Sequence, residues 1–242
     1  MSNILTVRTT TLEAFRQFIY CASEDKPWIN EPNLIATIQG VSEAGVKADF
    51  GTAGHLLIED YPQYKTGDVY KVNEFTFTEE QIKPLVKFHH EHPLMIRETQ
   101  LARMYHIGGY DLILTGTCDH LEGQVMRDTK FKFSNFDVSD FIDSIQYKAY
   151  LHMLGMKYFV YDFFRVHGFD TLADCHKARI SDVEEMALVW NDSFENDLYR
   201  LMGEFMEYVV HRDLLPFLKI NKEKAKKIIA GGIDLKALMV CQ

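Results

Sequence analysis

LTGTCDHLEGQVMRDTKFKF, residues 114–133, decides how this chain is read. Asp119 falls near the end of one strand-like run, and Asp128 and Lys130 fall on the next, across a turn at Glu122-Gly123. Side chains two apart on a strand project from one face, so Asp128 and Lys130 point together. A hairpin closing at Glu122-Gly123 brings Asp119 beside them. Two carboxylates and an amine on one patch suit a hard divalent cation held through oxygen, magnesium or manganese. The amine can orient a water or offset charge growing on a phosphate. An isolated D-x-K reads far more readily as a surface ion pair between strands, which is common and of little energetic value.

Working outward, residues 96–106, 111–121 and 124–133 form three strand-like runs broken at Gly108-Gly109 and Glu122-Gly123, an antiparallel meander. Downstream, residues 137–156 predict a helix with Phe141, Ile145, Ala149 and His152 on one side, Ser139 as its cap and Gly155 near its end. Residues 158–166 and 171–180 read as strands joined at Gly168, and a long helix runs from Ser181 to about Arg212. Residues 219–227 form a lysine-rich helical tail, and a solvated face is the plainer reading of it. Upstream, Thr9-Thr10-Thr11 precede an amphipathic helix carrying Leu12, Phe15, Phe18 and Ile19. Residues 24–49 resist assignment, a helix opens at Gly51-Thr52 and closes near Pro62, residues 69–78 alternate as one strand, and residues 79–90 read as a helix. The expected fold is α/β, a small central mixed β-sheet flanked by helices with helical additions at both ends. It forms one domain over residues 1–242, with a motif core at about 51–180 and a C-terminal helical region at about 181–242.

Composition sets broad limits. With 47% hydrophobic and 25% charged residues, the 242-residue chain can bury a core. No apolar run is long enough to cross a bilayer, and the opening MSNILTVRTT lacks the features of a signal peptide. A cytoplasmic protein is expected. Cys21, Cys118, Cys175 and Cys241 are scattered without metal-ligand spacing. The net charge of −9 argues weakly against a broad phosphate-binding surface but leaves room for a local basic strip. No Walker-type phosphate loop is present, so the chain carries no motor of its own.

More residues join the constellation in chain order. Gly51 and His55 form a G-x-x-x-H on a helix; Glu98 lies on a strand; Gly116 and Asp119 form a G-x-x-D. Asp128 and Lys130 follow, then Gln146 and Tyr150, spaced to share a helix face. That ordered set resembles the RecB-like, phage-type exonuclease branch of the PD-(D/E)XK nucleases, from about Gly51 to Tyr150. The resemblance implies a restriction-endonuclease-like core and hydrolysis of phosphodiester bonds in DNA with Mg2+ or Mn2+, in recombination, repair or phage genome processing. It implies Asp119, Asp128 and Lys130 as catalytic residues, with His55, Asp119, Asp128 and the Thr129 carbonyl as metal ligands. Gln146 and Tyr150 would steady the site, with Glu98 a supporting or second-metal carboxylate.

Cys118 stands where the superfamily name has proline, and Thr129-Lys130-Phe131 replaces the frequent Tyr-Lys-Thr. The C-terminal cysteines of iron–sulfur relatives are missing, so no cluster is expected. Phosphate contacts are expected from Lys132 and Lys148, with Arg165, Lys177 and Arg179 as further candidates. The expected partner is DNA, in the host cytoplasm if the chain is phage-encoded, with a homo-oligomer or a recombination partner left open. The competing expectation is a non-catalytic nucleic-acid-binding or assembly protein that retains the fold; the intact Asp119, Asp128 and Lys130 argue against it.

Overall fold

The computed structural model describes residues 4–133 and 138–232. The meander is present as β5 (Ile96–Ile107), β6 (Tyr110–Glu122) and β7 (Val125–Lys132), with Gly108, Gly109 and Gly123 at positive φ in the two turns. It forms the heart of a seven-stranded mixed sheet. Beyond β7 come β8 (Tyr158–His167), parallel to it, and β10 (Glu184–Val189), antiparallel to β8; the short β9 (Arg179–Ile180) also pairs with β8.

The five-residue β1 (Ile4–Arg8), which the sequence reading did not anticipate, runs parallel to β6 from Ile4↔Asp111 to Arg8↔Thr115. It leads directly into α1 (Thr9–Tyr20). Thr9 to Thr11, expected to precede the helix, instead lie inside its first turn, and Arg8 is the N-cap residue.

β8 shows how the sheet is sandwiched. Phe159, Tyr161 and Phe163 pack with Tyr147, Tyr150 and Leu151 of α5 (Ile145–Leu154), whereas Phe164 and Val166 face the opposite core. That second core is built by α3 (Val46–Asp60), α4 (Glu79–Glu91) and the hairpin β3 (Val69–Val72) and β4 (Phe75–Thr78). The two-residue strand β2 (Lys65–Thr66) extends the hairpin into a three-stranded sheet. On the first side, α1, α2 (Glu31–Gln39) and α6 (Ser193–His211) enclose a further cluster around Phe15 and Phe205. Two short helices, α7 (Leu215–Leu218) and α8 (Lys222–Gly231), complete the described chain.

The α/β class and helix-flanked mixed sheet agree with the expectation; several elements differ. Residues 24–49 hold α2 and the start of α3, which begins five residues before Gly51. Residues 69–78 are a hairpin, because Asn73 at φ +52 turns the chain. Ser144 caps α5 in place of Ser139, and a 3-10 turn at Val138–Phe141 precedes it; Asp137 lies outside the described residues. Gly155 does close α5, at φ +67. Residues 172–177 form a 3-10 turn rather than a strand. The expected helix from Ser181 is divided between β10 and α6. Val183, Met186 and Val189 fit a helical period, but Met186 and Leu188 pack onto the β8 face as alternating strand residues. No helix among the described residues is long and apolar enough to cross a membrane.

Candidate active site

The site lies where the sheet forks. β5 occupies one edge of β6 along nearly its whole length. The other edge is shared: β1 pairs with residues 111–115, and β7 pairs only with residues 120–122. Gly116, Thr117, Cys118 and Asp119 therefore have no strand beside them on that edge. Side chains fill the gap instead.

Asp119 Oδ2 accepts a 2.8 Å hydrogen bond from the Thr129 backbone N–H, tying β6 to β7 past the point where the ladder ends. In a strand the N–H and C=O of one residue face the same edge, so the Thr129 carbonyl also faces the gap. Deeper in the gap, the Tyr150 hydroxyl donates to the Thr117 carbonyl at 2.9 Å and accepts from Gln146 Nε2 at 3.0 Å and Thr9 Oγ1 at 3.3 Å. Gly116 makes this possible. A Cβ there would lie 2.9 Å from Thr9 Oγ1 and closer still to the Tyr150 ring.

Each functional side chain is held from behind. Asp128 and Lys130 form an ion pair on the face of β7 that turns toward α5. On the reverse face, Phe131 stacks on Phe164 and meets Gly54 of α3. That contact sets His55, the next residue, with Nδ1 3.7 Å from Asp119 Oδ2. At the other end, Glu13 of α1 accepts from the Ile145 N–H at 2.7 Å and from Ser144 Oγ at 3.1 Å. A carboxylate at a helix N-terminus satisfies free N–H groups and complements the helix dipole, so Glu13 fixes α5, and through it Gln146 and Tyr150.

Burial dominates the electrostatics. Asp128, 1% exposed, is pushed up to about 6 by desolvation, with neighbouring Asp119 adding to the rise and Lys130 opposing it. Asp119 is raised for the same first reason. Desolvation works against the Lys130 charge, but Asp128 and Asp119 outweigh it and raise its pKa, so the ammonium persists. Burial lowers His55 to about 4, leaving a neutral imidazole at neutral pH. That is the form able to ligate a metal.

The donor set fits magnesium or manganese. It offers two carboxylates desolvated beside each other, a carbonyl edge and a neutral imidazole. Among the described residues no three His, Cys, Asp or Glu side chains already converge on one point. A site completed by water and substrate oxygens is the ordinary arrangement for magnesium.

His55, Asp119, Asp128, Lys130, Gln146 and Tyr150 all line one groove of about 1180 Å³. Glu98 does not. It stands opposite Asp119 at the one position missing from the β5–β6 register, at φ +48, and its charge helps raise Asp119.

Lys132 and Lys148 are also outside the lining. Lys132 lies 4.4 Å over the Phe141 ring, and burial lowers its pKa to about 8. Lys148 is 8% exposed, 3.4 Å from Asp197 and 4.7 Å over the Phe194 ring, and so belongs to the α5–α6 packing. Arg165 pairs with Glu184, and Lys177 with Asp174. The basic groups that do line the groove are Arg8, Lys224 and Lys227, besides Lys130. Sequence reasoning missed Arg8 because nothing local marks the end of a five-residue strand. It undervalued Lys224 and Lys227 because a lysine-rich helix is usually just solvated.

No family model and no curated protein matches this chain. Solved structures resemble it at low identity. The crystal structure of SSO0001 has a TM-score of 0.49 and 13% identity, over 84% of this chain and 76% of that one. LHK-Exo, an alkaline exonuclease from Laribacter hongkongensis, gives 0.44 and 11% over 92% and 94%. Its complex with dAMP gives 0.42 and 13% over 93% and 95%. Likeness at this level carries no weight for function, and what the groove can do follows from its own side chains.

Proposed function

We propose that this chain is a metal-dependent DNA nuclease that hydrolyses phosphodiester bonds, an exonuclease of the RecB-like type whose motif order it resembles. The observation that carries this reading is the meeting of His55, Asp119, Asp128 and Lys130, from α3, β6 and β7, on one groove that Arg8, Lys224 and Lys227 also line. At about 1180 Å³ the groove exceeds the roughly 300–1,000 Å³ of a small-molecule pocket. A polymer suits it better.

The residues divide the work. Asp119, Asp128, the Thr129 carbonyl and His55 would hold the cation, which when bound polarises the phosphate and lowers the pKa of water. Lys130, kept charged by the two carboxylates, would orient the attacking water and offset charge on the phosphoryl oxygens. Tyr150 and Gln146 close the β6 edge at Thr117 and would give the scissile phosphate a fixed wall to meet. Arg8 at the start of α1 supplies positive charge for the flanking backbone.

The test is digestion of end-labelled linear, circular and single-stranded DNA with magnesium, manganese or chelator, by the unmodified protein and by Lys130→Ala. Metal-dependent loss of linear DNA alone, abolished in the variant, is the expected result. Nicked circles would replace exonuclease with endonuclease. Binding without cleavage in any metal would leave the non-catalytic reading in its place.

A further inference from the structure

Among the described residues that line the groove, Phe217 on α7 is the one exposed phenyl or phenol ring. It is 53% exposed, whereas Tyr150 is 1% exposed. A single exposed phenylalanine is ordinary on a protein surface; what marks this one is that it stands on the same groove as Asp119, Asp128, Lys130 and two further lysines. Its position is firmly built. Leu218 on the same short helix is buried; Lys219 forms an antiparallel bridge to Leu5, and the Ile220 N–H donates to the Ile4 carbonyl at 3.1 Å. The segment between α7 and α8 is thus stitched onto the free edge of β1, the strand that forms one side of the fork.

Beyond it, Asn221 caps α8, which presents Lys224 and Lys227 to the same groove. Among the described residues neither lysine is in an ion pair, although Lys226 on the same helix is paired with Glu223. Ala225 is buried, and Gly232, with Ala102 against it, ends the helix on β5.

An exposed ring and lysines on one groove are the combination that holds single-stranded nucleic acid. The lysines track phosphates, and the ring stacks on a base whose π-face is free. A base paired within a duplex has both faces covered by its neighbours, so the ring adds nothing away from the duplex ends. We infer that α7 and α8 form a docking wall for an unpaired strand, with Phe217 stacking on a base and Lys224 and Lys227 on its phosphates, so that a single-stranded end is the form of substrate this groove accepts. This deepens the proposed nuclease reading and rests on it for the meaning of the groove, but not for its test.

The experiment measures binding without turnover. Fluorescence anisotropy in chelator compares a labelled single-stranded oligonucleotide with a covalently closed duplex minicircle carrying the same sequence, which has no terminal base face. The proteins are the full chain, Phe217→Ala, Phe217→Trp and the double variant Lys224→Gln/Lys227→Gln. Phe217→Ala is expected to weaken single-strand binding by about 5- to 150-fold, the range of one lost base stack, and to leave duplex binding unchanged. Phe217→Trp is expected to restore it. The double lysine variant should make the slope of log affinity against log salt shallower by about 1.4, two phosphate contacts on a single strand. Single-strand affinity unchanged in Phe217→Ala, or equal losses on both DNAs, would overturn the inference. Strong single-strand binding through this wall in a protein that does not cut DNA in magnesium or manganese would refute the nuclease reading and leave the docking wall standing.

Discussion

Gly54 of α3 rests directly against the Phe131 ring of β7, so that a Cβ on Gly54 would fall 2.6 Å from both Cε atoms of that ring. This contact joins the helix that carries His55 to the strand that carries Asp128 and Lys130. The motif glycine singled out from the sequence, Gly51, is different: a Cβ there would meet Phe131 at 3.8 Å, an ordinary contact. Gly54→Ala is therefore expected to destabilise by about 1–3 kcal/mol through overpacking and to reduce cleavage by displacing His55. Gly51→Ala should instead stabilise by about 0.5–1 kcal/mol, the usual gain from removing a helix-interior glycine. Urea unfolding of the two variants separates them, and equal effects would contradict the packing described.

The Tyr150 hydroxyl occupies the gap in the sheet and satisfies the Thr117 carbonyl there. Tyr150→Phe keeps the ring but removes the part-buried hydrogen bond to the Thr117 carbonyl, at a cost of about 0.5–1.5 kcal/mol. Cleavage should fall with the change in the gap while the protein still folds. Gln146→Ala removes only one of the bonds to the hydroxyl and should cost less on both counts. Thermal melts beside cleavage rates check this, and a Tyr150→Phe protein as stable as the parent would show that water replaces the hydroxyl.

How much of this could be read from the chain differs by element. Asp119, Asp128 and Lys130 were legible because their placement depends on local facts, a two-residue strand period and glycines at the turns. β1 was not, because its pairing partner lies more than a hundred residues away on β6 and five residues carry little pattern of their own. β10 was misread because Val183, Met186 and Val189 satisfy a helical period, while contact with β8 decides the outcome. Gly54 was overlooked because a glycine beside a motif residue looks unremarkable until the ring opposite it is known. Lys148 shows the reverse failure: its spacing put it near the site, but Asp197 and Phe194 of the α6 region claim it.

His120, next to Asp119, is 1% exposed with both ring nitrogens unpaired, and burial holds its pKa down at about 3. The unfolded chain takes up a proton near pH 6.5, whereas the folded chain does not until about pH 3. Stability contributed by this residue is therefore complete above pH 6.5 and lost as the pH falls through the window between these values. The slope approaches about 1.4 kcal/mol per pH unit for one proton. Asp128, raised to about 6, acts in the opposite sense between its two values, so the comparison must be with a variant. Relative to the parent, His120→Leu should lower the slope of stability against pH by up to about 1.4 kcal/mol per pH unit between pH 6.5 and 4, so that the variant gains on the parent as the pH falls. Parallel curves for variant and parent would show that His120 protonates in the folded state.

Asp119→Asn separates metal binding from folding. An asparagine oxygen can still accept the Thr129 N–H, and the substitution removes a carboxylate whose charge burial disfavours. In chelator at pH 7 the variant should melt at the same temperature as the parent or higher, a usual consequence of relaxing a site built for function. Adding manganese or magnesium should then separate the two proteins. A ligand that binds only the folded state stabilises by about 2.7 kcal/mol at a hundred times its dissociation constant, and the parent should gain accordingly. The variant should gain little, having lost one of the two carboxylates proposed to hold the cation. Calorimetric melts across a metal titration give the answer without any cleavage assay. An equal shift in both proteins would place the cation elsewhere, and no shift in the parent would mean that substrate phosphate is needed to complete its coordination.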